Sequence, residues 1–188
     1  MKPMSPRRFR PICRRYVTLR SSIKMDLGTF NQLPQAVAQL ALSHCVAIPR
    51  WQQALVAARP FHSVEALLAE AQRLAQAWQE DDLNQALSAH PRIGEKAQGD
   101  EKEKRLSRSE QAAMQQADDA LQQAMVQGNQ AYEARFNRVF LIRAKGRSAQ
   151  NMLDELTRRL DNSPESERQE SLEQLREITL LRLKESFS

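Results

Sequence analysis

A chain of 188 residues, 41% hydrophobic and with five glycines, is long enough for one domain with a sizeable core and short for two. Its low aromatic content of 5% and its wealth of Leu, Ala and Gln favour helix over sheet, so the expected class is all-α. The formal charge of +5 would ordinarily point to nucleic acid, but eight of the 28 basic side chains fall in residues 1–24, which hold no acidic one. Residues 25–188 then carry 20 basic against 23 acidic side chains, a mildly acidic body.

The first 24 residues contain Pro3, Pro6 and Pro11 and no sustained apolar period, so a disordered or loosely attached basic extension is expected ahead of a single domain over 25–188. Met25-Asp26 begins an ordinary globular pattern. The arm is open to three readings: an extension from an upstream start, a functional basic arm, or an Arg-rich transit peptide. Cys13 and Cys45 fall on either side of that boundary, which implies no disulfide framework and fits a reducing, cytoplasmic setting. No run approaches the roughly 18 apolar residues that span a bilayer, so no membrane partner is expected.

Pro34, Pro49 and Pro60 divide the first third into short helical pieces, because proline suits a first helical turn and not a helix interior. Ser63 then caps a helix whose apolar face is Leu67, Leu68, Ala71, Leu74, Ala75 and Trp78. From Ala89 to Arg105 the period is lost and Pro91, Gly94 and Gly99 gather before a charged run, which predicts a long loop of the kind that carries function. Helical pattern resumes near Ser107 and is expected to end at Gly128. A further helix carries Tyr132, Phe136, Val139 and Phe140, and is closed by Gly146.

Ser148 caps the next helix, with Met152, Leu153, Leu156 and Leu160 on one face. The last begins at Ser163-Pro164, with Glu165 and Glu167 complementing its dipole, and runs through Leu172, Leu175, Ile178 and Leu181 or Arg182. The expected architecture is a single-domain bundle of about eight helices with a long functional loop before the central ones.

Of three histidines, His90 stands out, in Ser88-Ala89-His90-Pro91-Arg92-Ile93-Gly94. Pro91 biases His90 to extended backbone and Gly94 permits a tight turn just after it. An imidazole near a carboxylate is what proton transfer needs, and Ser107-x-x-Glu110-Gln111 offers one at a helix start. Ser107 and Glu110 also stand at capping-box spacing, and both readings can hold together. A helix closed by Gly146 would leave backbone groups near Ile142 to Ala144 open to a polar ligand. His44 and Cys45 are adjacent and His62 stands alone, so no metal site is expected. There is no P-loop, dinucleotide fingerprint or nucleophile elbow.

Taken together, His90-Pro91-Arg92-Ile93-Gly94, Ser107-x-x-Glu110-Gln111, Tyr132-x-x-x-Phe136 and Phe140-Leu141-Ile142-x-x-x-Gly146-Arg147-Ser148 resemble the OHCU decarboxylase family. Arg59-Pro60-Phe61 and Ile178-x-x-x-Arg182-Leu183 look like it too, and the resemblance covers roughly residues 28–185. It implies an all-helical, often dimeric, cofactor-free enzyme of urate breakdown that takes a small-molecule substrate, the product of hydroxyisourate hydrolysis, to (S)-allantoin.

It further implies that His90 and Glu110 are catalytic. Pro91, Ser107, Gln111, Ile142, Arg143 and Ala144 would bind substrate, with no metal and no cofactor. Two positions depart from the family pattern: Asn137, where many relatives carry glycine, and Arg143, where a small residue is expected. Arg143 is expected at the pocket rim or in solvent. The competing expectation is a non-enzymatic helical module that binds nucleic acid or an acidic partner through its basic arm.

Overall fold

The computed structural model describes residues 24–88, 90, 92–94, 109 and 111–187. Among them are nine helices and no strand: α1 Leu27–Gln32, α2 Gln35–Leu42, α3 Pro49–Ala57, α4 Val64–Ala75, α5 Glu80–Leu87, α6 Ala112–Gln115, α7 Asp119–Phe136, α8 Ala149–Arg159 and α9 Pro164–Phe187. The all-α expectation holds. The arm over 1–23 and most of the predicted loop over 89–105 lie outside the described residues.

Local chemistry sets several of the helix starts. The Ser63 and Ser148 side chains accept from the backbone N–H groups of Ala66 and Asn151, both at 3.1 Å, and Ser163 accepts from Ser166 at 3.1 Å. α5 opens with a reciprocal capping box between Gln79 and Asp82.

Two apolar clusters fill the interior. In the first, α1 to α5 close around α9, with Phe30, Trp51, Leu55, Trp78, Leu83, Leu175 and Leu183 among its residues. Trp51 and Trp78 meet edge to face at 6.0 Å, and the Trp51 indole N–H donates to the Ala71 carbonyl at 3.0 Å. The second cluster gathers α6, α7 and α8 through Met114, Met125, Tyr132, Met152 and Leu156, and includes Phe140, Ile142 and Ala144. Leu141, one residue away, belongs to the first. The short segment 140–144 therefore runs along the seam between the two clusters.

Three features differ from expectation, each for a physical reason. Gly128 does not end a helix: it sits inside α7, where a Cβ would stand 2.4 Å from Leu156 Cδ2, so its role is close helix packing. The helix through Tyr132 and Phe136 ends at Asn137, whose left-handed backbone (φ 52°) makes the C-cap, leaving Val139 and Phe140 outside it. Phe140 is still buried, because the turn returns it to edge contact with Tyr132 at 5.2 Å. Glu167 does more than face the helix dipole: it is 1% exposed and paired with the equally buried Arg159.

That buried pair is fully furnished with partners. Arg159 Nε donates to Glu167 Oε1 at 3.0 Å, its Nη1 to the Leu141 carbonyl at 2.8 Å, and its Nη2 to Ser171 Oγ at 3.1 Å. Glu167 also accepts from Asn162 Nδ2 at 2.8 Å and from the Tyr132 hydroxyl. The network ties α7, α8 and α9 to the seam segment. Burial, with the bond to Glu167, pushes the Tyr132 hydroxyl pKa well above its ordinary value.

Candidate active site

His90 follows directly on α5. Its backbone N–H donates to the Leu87 carbonyl at 3.1 Å, and its Nδ1 lies 2.9 Å from the Ala86 carbonyl. A carbonyl can only accept, so Nδ1 carries a proton, and Nε2, shielded from solvent, is the ring nitrogen left to exchange one. A backbone acceptor thus fixes both the tautomer and the plane of the imidazole.

The chain after His90 is fastened to α7 and to the start of α6. Arg92 forms a two-pronged pair with Glu133, its Nη2 at 2.9 Å from Oε2, and this guanidinium holds the Glu133 carboxyl below the usual carboxylate range. The Asn129 amide donates to the Ile93 carbonyl at 3.0 Å. Gly94 takes φ +90°, the tight turn foreseen for it, and donates its N–H to Gln111 Oε1 at 2.9 Å. Gln111 is 4% exposed and stands at the N-cap of α6. Its carbonyl oxygen is committed to this loop, so any hydrogen bond it offers a ligand comes from the amide nitrogen.

A small pocket, partly open to solvent, is lined by His90, Ile93 and Gln111, by the seam residues Phe140 to Ala144 with Lys145, and by Ile178, Leu181 and Arg182 of α9. The charged side chains among these described residues are Arg143, Lys145 and Arg182, all cationic. Their acidic partners lie off the lining: Glu177 accepts from Arg143 Nε at 3.0 Å, and Glu185 pairs with Lys145. Arg143 Nη1 donates to the Lys145 carbonyl at 2.8 Å. Gly146, at φ +81°, turns the chain into α8, and Arg147 N–H closes that turn onto the Ala144 carbonyl at 3.0 Å. An apolar wall with an imidazole and cations among its lining suits a small anionic ligand.

The pocket brings together His90, Gln111, Ile142, Arg143 and Ala144, residues far apart in the chain that the sequence singled out. Pro91, Ser107 and Glu110 lie outside the described residues. The reason foreseen for the 142–144 segment needs correction: no helix runs up to Gly146, the segment is non-helical throughout, and the Arg143 N–H is already given to Gln174 Oε1 at 2.9 Å. Arg143 sits at the rim, its side chain 36% exposed.

Lys145 and Arg182 were not singled out as binding residues. Leu181 or Arg182 is expected to continue one side of α9, and the available signal for Arg182 is its place in the family-like Ile178-x-x-x-Arg182-Leu183. Elsewhere, His44 turns Nε2 to Ser186 Oγ at 2.8 Å, and the described residues contain no group of three or more metal-ligating side chains.

Solved structures share this fold. An OHCU decarboxylase crystallised in the presence of (S)-allantoin superposes with a TM-score of 0.66 at 23% identity, covering 77% of this chain and 95% of that one. An (S)-allantoin synthase gives the same TM-score at 19% identity over 86% of this chain, which spans about half (54%) of that longer chain. In sequence, the 2-oxo-4-hydroxy-4-carboxy-5-ureidoimidazoline decarboxylase of Haloferax volcanii is 29% identical over 134 residues, 69% of this chain and 76% of the relative. The family model for OHCU decarboxylase matches residues 31–184, which take in α2 to α8, most of α9 and every residue of the pocket lining, and the chain belongs to that family.

Proposed function

We infer that this chain is a carboxy-lyase that converts 2-oxo-4-hydroxy-4-carboxy-5-ureidoimidazoline to (S)-allantoin, a step of urate breakdown. The observation that carries the reading is His90. Its tautomer is fixed by the Ala86 carbonyl, and it lines a pocket whose charged neighbours among the described residues are all cations. That combination suits an anionic substrate whose reaction turns on one proton.

The substrate supplies its own electron sink. When the bond to the carboxylate breaks, the electron pair passes into the neighbouring ring C=N and CO2 departs. The hydroxyl oxygen gives up its proton to become the ring carbonyl, and protons are returned to the ring nitrogen and to one face of the carbon bearing the ureido group. In sum one CO2 leaves and one proton is taken up. The protein's task is to orient the carboxylate and to manage these protons.

In this reading His90 Nε2 receives the hydroxyl proton, and Glu110 orients or shares it. The Arg182 and Arg143 guanidinium groups and Lys145 face the carboxylate. Ser107 and the Gln111 amide nitrogen hydrogen-bond the ureido and ring polar atoms, while Pro91, Ile142 and Ala144 shape the walls. A homodimer in a cytoplasmic setting accompanies the assignment, and light scattering on the purified chain tests the dimer. The basic arm is outside the chemistry, so deletion of residues 1–24 leaves turnover intact.

The direct test generates the substrate in situ from urate and follows (S)-allantoin by circular dichroism. Loss of a positioned acid or base typically costs about 10²- to 10⁴-fold. His90→Ala is expected to fall in that range, with the pocket still able to bind allantoin. Stereospecific allantoin formation by His90→Ala at the wild-type rate would sink the assignment.

A further inference from the structure

The seam segment is an unusual wall for a pocket, because it is non-helical and no ladder of its own backbone bonds fixes it. Arg147, just beyond it, donates from Nε to the Arg143 carbonyl at 3.1 Å and from its N–H to the Ala144 carbonyl at 3.0 Å, and α8 and α9 hold it at two further points. Leu141 O accepts from Arg159 Nη1 at 2.8 Å, and the Arg143 N–H donates to Gln174 Oε1 at 2.9 Å. Gln174 is 9% exposed and lies on α9 four, seven and eight residues before Ile178, Leu181 and Arg182, all three in the pocket lining. The four share one helix face. Glu177, one turn on from Gln174, takes the Arg143 guanidinium at 3.0 Å, so the main chain and side chain of Arg143 are both held by the same stretch of α9.

We propose that Gln174 is a positioning residue for the decarboxylation: through the Arg143 amide it sets the register of residues 142–144 against the α9 face that carries Arg182. The proposal rests on the decarboxylase reading of the pocket. Gln174 is not among the residues lining the pocket. It acts by fixing where the seam backbone stands, and with it the spacing between that wall, Arg182 and His90. The Gln174 side-chain carbonyl accepts the Arg143 N–H, a task that any acceptor oxygen at the same reach can perform. Loss of the acceptor leaves a part-buried N–H that regains a partner when the segment shifts, and a small shift at a binding wall is felt in substrate affinity and in the face that is protonated.

The experiment compares Gln174→Met, similar in length but without the amide acceptor, with Gln174→Glu, which keeps an acceptor oxygen. Three quantities are read: the KM and kcat split with in situ substrate, the enantiomeric excess of the allantoin formed, and hydrogen exchange at the Arg143 amide. Gln174→Met is expected to raise KM about tenfold, leave kcat within about threefold, lower the enantiomeric excess and speed Arg143 exchange. Gln174→Glu is expected to restore KM to within about threefold of wild type, with slow exchange.

Wild-type KM and exchange in Gln174→Met overturn the proposal, as does equal impairment of both variants, which would assign the effect to packing. Should Gln174→Met fail to fold, the Glu variant decides alone, and a tenfold rise in its KM overturns the proposal. If the wild-type protein forms no allantoin, the decarboxylase reading falls by itself. Arg143 exchange still judges the pin, which is refuted by unchanged protection in Gln174→Met.

Discussion

At the scale of single residues, the most consequential side chain outside the pocket is Arg159, because one buried guanidinium satisfies Glu167, Ser171 and the Leu141 carbonyl of the pocket wall. Removing one partner of a buried pair leaves the other charge uncompensated, which typically costs about 3–5 kcal/mol. Glu167→Gln keeps the volume and loses the charge, so urea denaturation should show a loss of that order, and a loss under 1 kcal/mol would mean that the pair is not closed in solution. At the rim, Arg143 is a different kind of charge: about a third in water and already paired with Glu177, it is suited to the capture of an anion more than to stability. Its signature is kinetic. Rising ionic strength should lower kcat/KM of the wild type, and Arg143→Gln should flatten that dependence while kcat stays within about twofold; equal slopes in the two proteins would remove Arg143 from substrate capture.

At the scale of elements, α7 and α8 approach so closely at Gly128 that a side chain there must displace Leu156, itself 1% exposed. Overpacking of this kind costs about 1–3 kcal/mol. Gly128→Val is therefore expected to lower the midpoint of thermal unfolding, and an unchanged midpoint would show that Leu156 has room to turn aside. The same glycine marks where sequence reading fails. A glycine inside a helix pattern is ambiguous between a stop and a close contact, and only the neighbouring helix resolves it.

Starts were more legible than ends. Ser63, Ser148 and Ser163 announce caps that depend on local atoms alone, whereas the end at Asn137 is hidden by the continued apolar spacing of Tyr132, Phe136 and Phe140. In the site, His90, Gln111 and residues 142–144 were legible as family motifs. Arg182 is legible only as part of the family-like Ile178-x-x-x-Arg182-Leu183, and Lys145 and Gln174 are not legible, because their place beside the pocket comes from the packing of α9 against a non-helical segment that no periodicity describes.

At the scale of the whole molecule, the bundle is held at its outer joints by carboxylates whose pKa values are depressed by arginines. Arg50 hydrogen-bonds Asp82 across α3 and α5, Arg92 pairs with Glu133 between the His90 loop and α7, and Arg138 binds Glu80. A carboxyl with a lower pKa folded than unfolded binds fewer protons in the native state. Its stabilisation is therefore present above the ordinary carboxylate pKa of about 4 and is lost as pH falls through the depressed folded values. Tyr132 works at the opposite limit. Burial first, and then its bond to Glu167, raise its pKa, so its contribution is intact below the ordinary tyrosine value of about 10 and is lost as pH rises beyond it.

The expected profile is a plateau in thermal midpoint between about pH 5 and 9, with an acid limb below about pH 4 and an alkaline limb above about pH 10. Glu133→Gln should lower the plateau slightly and make the acid limb shallower, since one proton-linked joint is gone. Tyr132→Phe should leave the acid limb unchanged and reduce the alkaline one. Acid limbs of equal depth in wild type and Glu133→Gln would show that the Arg92 pair does not hold the His90 loop to α7. Because that pair is the joint nearest His90, its failure would loosen the His90 loop while the tryptophan-centred cluster of α1 to α5 and α9 remains packed.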